Sequence, residues 1–94
     1  MANHFFTQLY NEAEALTCHP SIVADDVLAR QSRIIWLCLS DEKACRYNAE
    51  VFYSFARNCL QWIDEKISSL NLNENQEGVH LFKDFVLRWV AFHF

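Results

Sequence analysis

Apolar residues recur along the chain at intervals of three and four, and the predicted elements follow from that spacing. Phe5, Phe6, Leu9, Tyr10, Ala13 and Leu16 keep it, with Glu12 and Glu14 near the opposite side. A first amphipathic helix is therefore predicted from about His4 to Thr17, with Asn3 as its N-cap. Cys18-His19-Pro20 ends it, because a residue before proline is pushed out of the α region. A second helix is predicted from Pro20 or Ser21 to about Leu39, where proline suits a first-turn position that has no N–H partner to lose. Val23, Val27, Ile34 and Leu37 form one apolar row on it, and Ala24, Leu28, Ile35 and Cys38 a second beside it. The polar run from Ala29 to Arg33 interrupts both rows and marks where this helix would divide into two.

Ser40 is the predicted N-cap of a third helix, with Asp41 and Glu42 at the positive end of its dipole. Cys45, Ala49, Phe52, Ala56, Cys59, Ile63, Lys66 and Leu70 alternate spacings of four and three, and Lys66 alone is polar. Ala44, Val51, Phe55 and Trp62 widen that face to the breadth a bundle uses. At about thirty residues this helix would be about 45 Å long, more than its neighbours cover one-on-one. Asn71 to Gly78 supplies turn chemistry. A fourth helix then runs from Gln76 or Gly78 to the end. Leu81, Phe82, Phe85, Val86, Trp89, Val90 and Phe92 cover about half its circumference, and Leu87, Ala91 and Phe94 fall on or near the polar side. A helix so nearly apolar all round is a buried one, and in a small domain its full burial calls for cover from outside.

Composition sharpens the class. The 94 residues include one Gly and one Pro; turns use both heavily, so few turns and long elements, meaning helices, are expected. With 52% hydrophobic and 21% charged residues the chain reads as globular. Three Trp, eight Phe and three Tyr are a large aromatic load for one small core. The formal net charge of −4 is uneven. Residues 1–29 hold Glu12, Glu14, Asp25 and Asp26 and no Lys or Arg, while Arg30, Arg33, Lys43, Arg46 and Arg57 crowd the middle. An acidic chain is repelled by a phosphate backbone, which disfavours nucleic acid and leaves the 30–57 stretch as an alternative docking element for it. The N-terminus has no secretory pattern and no apolar run reaches membrane-spanning length, so a cytoplasmic protein with reduced cysteines is expected.

Candidate chemistry is sparse. Cys18, Cys38, Cys45 and Cys59 have nineteen, six and thirteen residues between one and the next, without the close ligand pairs of a zinc site, so they read as small buried hydrophobes and no metal is expected. The carboxylate pairs Glu12 with Glu14, Asp25 with Asp26 and Asp64 with Glu65 point in different directions on a helix and read as a solvated face. Arg88 and His93 make an R-x4-H pattern that resembles the ribonuclease motif of helical HEPN-type domains. The resemblance covers those two residues, with Trp89 where the family pattern has a polar residue, and implies ribonuclease activity as a third reading. On the residues themselves, a histidine next to last in the chain is a solvated side chain.

The fold these observations predict is all-α, a small antiparallel bundle of four helices built around one long central helix, with residues 1–94 as a single helical domain. The predicted function is a non-enzymatic protein-interaction module, homodimeric, that regulates or inhibits a larger protein through apolar and aromatic helix faces. Tyr53, Leu87, Trp89, Phe92 and Phe94 are the candidate partner-binding residues. Arg30, Arg33, Lys43 and Arg46 are a candidate basic docking patch near one end of the bundle. No cofactor is expected.

Overall fold

The structure, a computed structural model, describes residues 3–43, 49–70 and 74–93. Five helices occur among them: α1 (Asn3–Thr17), α2 (Pro20–Val23), α3 (Asp26–Lys43), α4 (Ala49–Ser69) and α5 (Gln76–His93). No strand occurs among the described residues, and the all-α class holds.

The second predicted helix is two. It divides at Ala24-Asp25, and the polar run from Ala29 to Arg33 lies inside the continuous α3. The divider is the Asp25 carboxylate. Its Oδ1 accepts from the backbone N–H groups of Val27, at 2.9 Å, and Leu28, at 3.2 Å, the N-cap arrangement that starts a new helix. α2 is capped in a similar way at His19, whose Nδ1 accepts from Ser21 N–H at 3.1 Å. Ser40 does not cap a third helix. It lies inside α3, and its hydroxyl donates to the Trp36 carbonyl at 2.9 Å, one turn back. Of the long central helix expected from residue 41 onward, residues 41–43 belong to α3, and residues 44–48 lie outside the described residues. α4 is described from Ala49 and has 21 residues, about 31 Å of helix.

The element that meets all the others is α5, which packs on α1, α2, α3 and α4. One side of its near-continuous apolar surface finds cover within the chain itself, while Leu87, Ala91 and Phe92 stay at the surface. Val79, Phe82, Phe85, Val86 and Trp89 are all enclosed, against Leu9, Ala13 and Leu16 of α1, Ile22 of α2, Leu28, Ile35 and Leu39 of α3, and Ala56, Cys59 and Ile63 of α4. Ring pairs fix the register. Phe55 lies edge-on to Trp89 at 6.0 Å and Trp62 edge-on to Phe82 at 6.1 Å, so contacts descend α5 as they ascend α4 and the two run antiparallel. Phe6 with Phe92, and Glu12 with Arg88, order α1 and α5 in the same antiparallel sense.

The chain's one glycine sits where α2 crosses the start of α5. A Cβ at Gly78 would run into the Ser21 carbonyl oxygen. Asn75 joins the two helices there: its amide donates to that same Ser21 carbonyl, and its Oδ1 accepts from Gly78 N–H at 3.1 Å, capping α5.

Candidate docking surface

The candidate partner residues separate into three groups. Tyr53 on α4 and Leu87 on α5 are 48% and 45% exposed, on different helices. Phe92 lies at the surface near the end of α5, its ring tilted against Phe6 at 6.3 Å. Trp89 is a correction. It is fully enclosed, because the side of α5 that carries it also carries Phe82, Phe85 and Val86 and turns into the core. Its side chain offers nothing to a partner. Phe94 lies outside the described residues.

Tyr53 carries a cation on its face, the Arg57 guanidinium 5.7 Å from the ring centre. Shallow hollows flank α4 there, one lined by Tyr53, Ser54, Arg57, Asn58, Leu60 and Gln61. A third hollow follows the outer side of α1 along His4, Thr7, Gln8, Asn11, Glu12 and Ala15. None of these gathers a nucleophile, a base and an oxyanion donor in one enclosed cleft.

The basic patch does not assemble at one end. Because α3 runs unbroken to Lys43, Arg30 and Lys43 stand about 20 Å apart along its axis. Arg30 and Arg33 are exposed, while the Lys43 ammonium lies 4.6 Å over the Tyr10 ring. Arg46 lies outside the described residues. Among the described residues, this set makes no continuous cationic track interleaved with stacking rings of the kind a nucleic-acid strand follows. Arg88 is held in an ion pair with Glu12 and lies beside the Phe85 ring. The side chain of His93 lies outside the described residues.

Among the described residues no group of three His, Cys, Asp or Glu side chains is placed to hold a metal ion. Cys18 is exposed, Cys38 half-buried and Cys59 buried, each a free thiol, and Cys45 lies outside the described residues. Burial pushes the Cys59 thiol up to about 12, and the nearby Cys38 adds to the rise. Burial, with the charge of Asp41 behind it, also raises Cys38. Both are therefore protonated at neutral pH and poor nucleophiles or ligands.

Exposed apolar residues that the spacing placed in the core are the main surprise. Phe5, Val23, Val27 and Leu37 all stand at the surface. On α3 the two apolar rows have opposite fates: Leu28 and Ile35 turn inward, whereas Val27 and Leu37 of the other row face solvent and Ile34 is half-buried. Polar residues interrupt both rows, Arg30 and Arg33 the exposed one and Ser32 the buried one, so the sequence left the choice between them open. No helix among the described residues is long and apolar enough to cross a membrane. Comparisons of the chain with protein families, with curated proteins and with solved structures returned no match in any of the three.

Proposed function

We propose that this chain is a non-enzymatic protein-interaction module of the cytoplasm that regulates or inhibits a larger protein by covering part of its surface, and that it self-associates. One observation carries the reading. Large apolar side chains remain at the surface of a fold whose core is already filled with Trp89, Phe82, Phe85 and eight further fully enclosed side chains. Scattered exposed apolar residues are ordinary on a protein surface; here they recur along one side of single helices. Leu87 on α5 is followed one turn later by the exposed Ala91, and Val27 and Leu37 stand on one side of α3. Helix faces of this kind dock into apolar grooves through residues three, four and seven apart.

The test is affinity capture from an extract of the cells that carry the protein, with the wild-type chain and Leu87→Glu compared at equal helical content by circular dichroism. A partner retained by the wild type and lost with Leu87→Glu supports the reading. Equal retention by both chains, or none by either, refutes the assignment of α5 as the covering face.

A further inference from the structure

The outer side of α3 carries Val27, Arg30, Ile34, Leu37 and Asp41, at spacings of three, four, three and four. At 100° per residue these five fall within about 40° of one line along the helix, on the far side from Leu28, Ser32, Ile35 and Leu39, which face the core. Alternating steps of three and four are the pattern of a helix-pairing seam. α3 thus has two seams, one closed by its own chain and one turned to solvent, where Leu37 is 51% exposed and Arg30 and Asp41 are exposed at either side of the apolar pair.

We infer that this outer seam pairs with the same seam of a second copy, antiparallel, about a two-fold axis midway between Ile34 and Leu37. The inference rests on the reading of the chain as a self-associating interaction module, and names the surface. The charge pattern decides occupant and direction. In Arg30-Ile34-Leu37-Asp41 the two ends have opposite sign and the middle is apolar, so the row is complementary to itself when reversed. Arg30 meets the partner's Asp41, Ile34 meets the partner's Leu37, and each contact occurs twice, as a two-fold interface requires. A parallel pair in register would set Arg30 against Arg30 and Asp41 against Asp41, which like-charge repulsion opposes.

The helix dipole points the same way. Asp41 stands near the C-terminal, negative end of its own helix, where an acid is disfavoured. In the antiparallel pair it lies beside the partner's N-terminal half, where an acid is favoured. The seam is about 21 Å long, which puts the contact at the small end of specific interfaces and makes the dimer weak, with self-association on the order of 100 µM.

Charge reversal tests this with a built-in rescue. Arg30→Asp places two acids opposite each other at both ends of the seam, and Asp41→Arg places two bases there. Each variant alone is expected to lose at least about tenfold in self-association. An equimolar mixture of the two restores opposite charges at both ends and is expected to form a heterodimer, read by native mass spectrometry with one variant isotope-labelled. Recovery in the mixture establishes the antiparallel seam. Variants that dimerise as the wild type does, a mixture that stays monomeric, or a wild type that is monomeric at 1 mM would each overturn it. A wild type monomeric at 1 mM would also remove self-association from the broader reading; the other two outcomes overturn this seam alone, and the capture experiment on Leu87 tests the covering face of α5 separately.

Discussion

Single side chains carry two consequences that a bench experiment reads directly. The Cys59 thiol, pushed up to about 12 from an ordinary 9.0, is stabilised in its protonated form by the fold. Unfolding releases that constraint, so the unfolded chain gives up the proton first as pH rises. The contribution to stability is whole below about pH 8.5, the ordinary range for an unfolded thiol, and declines as pH climbs toward 12. Denaturation midpoints across that alkaline range are expected to fall more steeply for the wild type than for Cys59→Ala. At pH 7, a thiol reagent is expected to modify the exposed Cys18 promptly and Cys59 only after denaturant is added. Ser32 offers a second case. It is fully buried in α3, and its hydroxyl has no hydrogen-bond partner among the described residues. A buried unsatisfied hydroxyl costs about 1–3 kcal/mol, so Ser32→Ala is expected to raise the unfolding free energy by about 1 kcal/mol; a loss of stability on urea titration would show that the hydroxyl is bonded after all.

Within elements, local signals were legible where they acted locally and misleading where they competed. Pro20 gave the start of α2, and the Asn75–Gly78 region and the apolar spacing of α1 and α5 gave those two helices to within a residue or two. The row Ala56, Cys59, Ile63 gave the buried side of α4. Ser40 misled because a serine hydroxyl can bond either forward as an N-cap or back to the preceding turn, and here it bonds back to Trp36. Asp25 and Asp26 looked alike in sequence; only the backbone around Asp25 lets its carboxylate reach the N–H groups of Val27 and Leu28. Gly78 reads as a loop residue from its neighbours, yet it lies in the first turn of α5 because α2 passes too close for any side chain. Gly78→Ala would gain about 1 kcal/mol of helix propensity in isolation. In this fold it is expected to destabilise by about 1–3 kcal/mol through the clash with Ser21, and thermal melting decides the sign.

At the scale of the whole molecule, periodicity indicated how many apolar faces there are but not which of them meet. Both rows of α3 fit a helix equally well, and only the packing of α3 on α1, α2 and α5 selects the one that turns inward. The same arrangement explains why Trp89, a sound interface candidate by residue type, is spent in the core, whereas Leu37 and Val27 are left outside. It also accounts for the basic residues, which an unbroken α3 strings along its length instead of gathering at a turn. The candidate docking surface was therefore only partly legible: Tyr53 and Leu87 lie at the surface as their positions implied, Phe92 lies there although the spacing put it on the apolar side of α5, and the proposed α3 seam came from tertiary structure.

The central claim is that apolar residues left outside this filled core serve association. Light scattering on the wild type and on Leu37→Asp, over one concentration series from the low micromolar range to 1 mM, tests it most directly. The wild-type mass is expected to climb from 11.1 kDa toward twice that value, while Leu37→Asp, folded to the same helical content, stays at the monomer mass throughout. A wild type that never departs from the monomer mass, or a Leu37→Asp curve that superimposes on a rising wild-type curve, would contradict it.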